Sequence, residues 1–266
     1  MNKIQQEEYI QFAKNLAHQA GEIMLTHFRA KSLVTEWKED NTPVTIADKQ
    51  INTLVIDSVK STYPEHGVLG EEESFEPKRS MLWVVDPIDG TAMFNLGMPN
   101  SCFCLALVIN GDVQISVVYD PYSKRLFHAG KGLGAYKNDE RILTPDITDL
   151  KNKYCFIPTG SRDKPMLFEK VIIDAKSQGA KIFFIPSYTY LATLVLEGSA
   201  ATIMMAYGSP WDCAAISLIA SEAGCVVSSF SDAPRKFNEW SYGMAIFNPR
   251  QAEFMKDSIK NANIGH

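Results

Sequence analysis

No run of lysine and arginine in this 266-residue chain exceeds two, and the formal net charge is −5. Such a chain offers no basic field to a nucleic acid polymer. No apolar stretch approaches the roughly 18 residues that a bilayer-spanning helix needs, so no membrane association is expected. The opening Met1-Asn2-Lys3-Ile4-Gln5-Gln6-Glu7-Glu8 is polar and acidic, unlike a secretion signal, and a cytoplasmic location is expected. Cysteine is scarce: Cys102, Cys104, Cys155, Cys213 and Cys225 form an odd, scattered set. Cys102 and Cys104 fall in the apolar run Cys102-Phe103-Cys104-Leu105-Ala106-Leu107-Val108-Ile109, where a free thiol packs as a small hydrophobe. The five histidines (His18, His27, His66, His128, His266) show no zinc spacing. Repeats and low-complexity linkers are missing too. With 45% hydrophobic and 21% charged residues, what remains is an ordinary globular composition with enough chain for one large domain or two fused halves.

Phe12, Leu16, Ala20, Ile23 and Phe28 recur at helical steps and predict a helix over residues 5–29. Lys38 to Pro43 reads as a loop. Thr45-Ile46-Ala47-Asp48 has the form of a capping box, with a helical stripe continuing to about Thr62. Strands are expected at Val68-Leu69 and Met81 to Val85. Further strands at Cys102–Ile109 and Val113–Tyr119 flank the hairpin signal Asn110-Gly111-Asp112, and another is expected near Arg125–Ala129. This order suits an antiparallel sheet with helices on one face. Beyond about residue 145, strands at Tyr154–Pro158, Ile182–Ile185, Ala201–Met205, Cys225–Ser228 and Met244–Phe247 alternate with helices at 165–178, Leu191–Glu197 and Trp211–Ala223. The chain therefore divides into an α+β half, 1–145, and an α/β half, 146–266, expected to share an interface that holds the site.

Residues 83 to 91, Trp-Val-Val-Asp-Pro-Ile-Asp-Gly-Thr, carry the chemistry. A buried strand ends in two aspartates spaced i, i+3, then a glycine turn. Carboxylates so close repel unless a cation lies between them, and oxygen-only ligation with room for water and phosphate suits Mg²⁺. Asp48, Glu71 and Asp212 also sit at the ends of predicted elements; an acid at a helix start is ordinarily a cap.

Together, Gly70-Glu71-Glu72, Asp86-Pro87-Ile88-Asp89-Gly90-Thr91 and Trp211-Asp212-Cys213-Ala214-Ala215 resemble the signatures of the inositol monophosphatase family, the lithium-sensitive, magnesium-dependent phosphatases. The resemblance spans about residues 38 to 224. It implies an α+β fold layered αβαβα, a homodimer, two or three Mg²⁺ ions and inhibition by Li⁺. By matching position it implies Glu71, Asp86, the Ile88 carbonyl, Asp89 and Asp212 as metal ligands. Asp48 and Thr91, with Glu71, would hold and polarise the attacking water. The amides of Gly90 and Thr91 would meet the phosphate of a small monoester, Lys38 would act from a mobile loop, and Asp212 would also reach the substrate. Glu72 and Glu73 are expected to be solvated neighbours. The wording Lys38-x-Asp40-Asn41-Thr42-Pro43-Val44-Thr45 is closer to nucleotidase and histidinol-phosphatase branches than to animal inositol enzymes.

The pocket departs from the family. Where sugar-phosphate enzymes carry a hydroxyl-binding carboxylate, seven positions before Asp212, stands Met205, which cannot replace it. Pro186-Ser187-Tyr188 replaces a small Gly-Ser-Ala turn, and Ile216 replaces a glycine. Inositol phosphate is therefore expected to be a poor substrate. The Tyr188 ring could stack on a flat group, as in 3′-phosphoadenosine 5′-phosphate or histidinol phosphate. The competing class, a non-catalytic binding protein on this scaffold, is disfavoured because clustered carboxylates without metal are costly.

Overall fold

The computed structural model describes residues 1–30, 33–39, 41–160, 166–206, 208–230, 235–241, 243–262 and 264. Asp40, Pro165 and His266 from the sequence reading lie outside the described residues. In chain order the elements are α1 (Lys3–His27), β1 (Thr35–Trp37), β2 (Pro43–Thr45), α2 (Ile46–Thr62), β3 (Gly67–Gly70), β4 (Met81–Asp89), α3 (Thr91–Asn95), β5 (Cys102–Ile109), β6 (Asp112–Asp120), β7 (Arg125–Gly130), β8 (Gly134–Lys137) and β9 (Glu140–Ile142). There follow β10 (Tyr154–Phe156), α4 (Glu169–Ser177), β11 (Lys181–Phe183), α5 (Tyr188–Leu196), β12 (Ala200–Met205), α6 (Pro210–Glu222), β13 (Val226–Ser229), β14 (Met244–Phe247) and α7 (Ala252–Asn261).

Seven strands form one sheet in sequence order from β3 to β9; only the β3–β4 pair is parallel. The second sheet runs β11-β10-β12-β14-β13, with β11, β10 and β12 parallel and β14 antiparallel to both of its neighbours, β12 and β13. Strand periodicity sorts the apolar side chains into layers. Trp83, Val85, Phe103, Leu105 and Leu107 pack against α1 and α2 through Leu16, Ile51 and Val55. Their alternates Leu82, Val84, Cys102, Cys104 and Ala106 face α5 and α6, whose other side meets Ile203, Met205 and Ile246 of the second sheet. Met204, Ala245 and Phe247 point the opposite way, onto α4 and α7. The layers are αβαβα, as expected, and the middle helices belong to a core fed by both sheets.

The hairpin prediction holds in detail. Ile109 pairs with Asp112, leaving Asn110 and Gly111, both at positive φ (51° and 84°), as the two-residue turn that matches the strand twist. Elements absent from the sequence reading are the short β1, β2, β8, β9 and α3, together with the ten-residue amphipathic α7. Lys38, Glu39, Asn41 and Thr42 lie between β1 and β2, and Pro43, read as the end of that loop, opens β2 and pairs with Trp37. More consequential is α5, which begins at Tyr188, three residues before the predicted Leu191.

Candidate active site

β4 delivers the two aspartates through an irregularity. Asp86 pairs with Cys104 and Asp89 with Cys102, and the ladder shifts between them. Pro87 cannot donate to the ladder there, which is where a strand tolerates a bulge. The Ile88 amide donates to Asp86 Oδ1 (3.0 Å), fixing that carboxylate inside the turn. Gly90 then adopts φ +84° as the N-cap of α3. A Cβ at Gly90 would lie 2.6 Å from Ser187 Oγ, so both the dihedral and the space require glycine. Asp212 arrives from the first turn of α6, behind Pro210 at its start. Oxygens of Asp86, Asp89 and Asp212 all lie within 4.8 Å of one another.

Such a cluster is costly as it stands. Burial, followed by repulsion from Glu71 and its neighbours, pushes the Asp86 carboxyl well up. Burial also pushes Asp212 up to about 7, with Glu71 and Asp89 adding to it. Asp89 is pushed only to about 6, because its hydrogen-bond donors oppose burial. Those donors come from the start of α5: Ser187 Oγ (2.9 Å) and the amides of Thr189 (3.0 Å) and Tyr190 (3.3 Å) to Oδ2, with the Tyr188 amide to Oδ1 (3.1 Å). Asp89 therefore caps α5 from another sheet, in place of a side chain from within the helix. Ser187 and these amides were missed in the sequence; the only available signal was a serine ahead of an apolar helical run.

Asp48 and Thr91 come together. Thr45 caps α2 and Asp48 closes the capping box, accepting from Thr45 N (2.8 Å) and Thr45 Oγ1 (2.5 Å). The other oxygen of Asp48 accepts from Thr91 Oγ1 at 3.3 Å; that hydroxyl also lies 3.0 Å from the Ile88 carbonyl. Burial drives the Asp48 carboxyl up to about 7. Glu71 follows β3, its amide donating to Val85 O (3.2 Å), which sets it beside Asp86. Lys38, from the tip between β1 and β2, places its ammonium 2.8 Å from Glu71 Oε1 and 2.6 Å from Glu72 Oε1.

Two expectations change. Glu72 is not a solvated neighbour: its side chain is 11% exposed and paired with Lys38, and burial raises its pKa. Only Glu73 of the pair is exposed. Met205 is fully buried, on the core-facing side of β12 with its sulfur 3.9 Å from Cys213 Sγ. It presents no surface to a substrate, because alternation along β12 turns it into the middle layer. Tyr188 is half-buried with its ring 5.5 Å from that of Phe184. All five cysteines are buried and free, as the core reading of Cys102 and Cys104 requires.

The donor set is chemically suited to a hard divalent cation. It is carboxylate oxygen throughout, and its buried charges need one. With the fold, it defines a metal-dependent phosphatase of small phosphate monoesters. The inositol monophosphatase family model matches residues 5–259, and the chain belongs to that family. It is 32% identical to the Nus factor SuhB of Vibrio cholerae over 76% of this chain and 77% of that protein. It is 31% identical to the histidinol-phosphatase of Chlorobaculum parvum over 81% and 83%. The solved Thermotoga maritima IMPase superposes with a TM-score of 0.83 at 27% identity, covering 96% of this chain and 98% of that one. No helix among the described residues is long and apolar enough to cross a membrane.

Proposed function

We propose that this chain hydrolyses a small metabolite phosphate with two or three Mg²⁺ ions, and that its preferred ester is not a polyol phosphate. The observation that carries this is the convergence of Asp86, Asp89 and Asp212 within 4.8 Å, beside a threonine hydroxyl shared between Asp48 and the Ile88 carbonyl. Glu71, Asp86, the Ile88 carbonyl, Asp89 and Asp212 would hold the metal. When bound, Mg²⁺ supplies neutralisation of the monoester's charge, acidification of water and stabilisation of the leaving oxygen.

The chain's own residues do the rest. Asp48 and Thr91, with Glu71 alongside, orient a water for in-line attack. The high pKa of Asp48 suits it to take a proton near neutral pH. The amides of Gly90 and Thr91 face the phosphoryl oxygens at the start of α3, and Lys38 brings an ammonium to the same edge. Residues 1–145 supply most of these groups; residues 146–266 supply Asp212, the α5 amides and the wall bearing Tyr188. No covalent intermediate is needed, since positioning and electrostatics suffice for phosphoryl transfer to water.

Support for the substrate class comes from the likeness to a histidinol-phosphatase. Histidinol phosphate is the first candidate and 3′-phosphoadenosine 5′-phosphate the second. A cytoplasmic homodimer inhibited by Li⁺ belongs to the same proposal, on family likeness. Phosphate release from these esters and from inositol 1-phosphate, with Mg²⁺ and with chelator, is the test. Metal-independent release, or a clear preference for inositol 1-phosphate, overturns it.

A further inference from the structure

Trp240 is 64% exposed, and a large aromatic side chain left in solvent calls for a reason. Its segment is tied down. Arg235 Nη2 donates to Gly208 O (2.8 Å). The Ser241 amide donates to the same carbonyl (3.3 Å), and the Phe237 amide donates to Gly111 O (3.0 Å). Lys236 Nζ pairs with Asp112 Oδ1 (2.9 Å). The Trp240 indole meets that of Trp211 edge to face, with centroids 5.4 Å apart and planes at 82°. Trp211 directly precedes Asp212, and Arg235 is close enough for its charge to act on the Asp212 carboxyl. An anchored segment thus fixes a largely bare indole against Trp211, the residue that precedes Asp212.

We propose that Trp240, braced by Trp211, recognises the alcohol portion of the substrate, and that this portion carries a flat heteroaromatic ring. The proposal rests on the phosphomonoesterase reading above and deepens it. An indole offers a wide π-face and a single donor. It therefore gains much from stacking on an imidazole or purine, and more if the ring is cationic.

The test compares kcat/KM for histidinol phosphate, 3′-phosphoadenosine 5′-phosphate and glycerol 2-phosphate at fixed Mg²⁺, in the wild type, Trp240→Ala and Trp240→Phe. The wild type should prefer a ring-bearing ester. In Trp240→Ala its advantage over glycerol 2-phosphate should fall about tenfold, mostly through KM, and Trp240→Phe should restore most of it. A loss confined to one ring ester identifies the ring as imidazole or purine. An unchanged ratio, with the wild-type preference intact, overturns the role of Trp240 and leaves the phosphatase reading standing. A wild type that prefers glycerol 2-phosphate overturns the ring itself. Quenching of tryptophan emission by histidinol or adenosine, at saturating Mg²⁺, reads the contact without turnover. It should be lost in Trp240→Phe; quenching by neither alcohol, or quenching that survives the substitution, overturns the proposal.

Discussion

Asp89 has two roles at once, since the same carboxylate belongs to the acidic cluster and caps α5. Asp89→Asn keeps the shape but removes a charge and turns an NH₂ toward donors. Turnover at saturating Mg²⁺ should fall by roughly a hundredfold or more, and thermal unfolding should show about 1–2 kcal/mol lost with the cap. Wild-type turnover in that variant would remove Asp89 from the site. Thr91→Ala should lower kcat much more than it raises KM, with Thr91→Ser recovering most of the loss. Calorimetry showing lost Mg²⁺ binding would instead make Thr91 a ligand. Met205→Glu changes meaning once its burial is known. A carboxylate set against Cys213 in the middle layer has no partner, so several kcal/mol of stability should be lost. Melting temperature decides: a stable variant that gains inositol 1-phosphate hydrolysis would place that side chain in the pocket.

Among the elements, the turn between β4 and α3 and the start of α5 work as one unit. Gly90 touches Ser187, and Asp89 accepts from four groups at the head of α5. Gly90→Ala forces an L-residue into φ +84° and drives its Cβ into Ser187. A destabilisation of about 2 kcal/mol is expected, together with loss of activity because Asp89 and Thr91 flank the strained residue. Chemical denaturation alongside kinetics checks both; an active variant of unchanged stability would mean the turn relaxes freely. The α2 capping box shows the contrasting case, where local wording suffices. Thr45 and Asp48 lie three residues apart and find each other within one helical turn.

At the scale of the molecule, the carboxylate cluster ties stability to pH and metal. Asp48 and Asp212, near 7 in the folded chain, and Asp89, near 6, start from 3.8. Raised carboxyls hold their protons more tightly when folded. They therefore cost nothing below about pH 4, and an increasing amount as pH rises through 4 to 7. A divalent cation bound among them offsets that cost. The rise in melting temperature on adding Mg²⁺ should thus be larger at pH 8 than at pH 5.5, with protons released on binding when the pH lies below 7. An equal rise at both pH values would show that these carboxyls do not hold the ion.

Periodicity and short motifs in the sequence determined the β5–β6 hairpin, the α2 cap and the Asp86–Asp89 pair, while the αβαβα layers followed from the family resemblance. The hairpin, the cap and the pair each depend on residues a few positions apart, where backbone geometry leaves little choice. Only the tertiary structure decided that Asp89 caps α5, that Lys38 bridges Glu71 and Glu72, that Met205 is core and that Trp240 packs against Trp211. These contacts join residues tens of positions apart on different layers. Which side of β12 faces inward, and how far α5 extends before meeting Asp89, is set by the packing of two sheets around shared helices, and no local pattern encodes that packing.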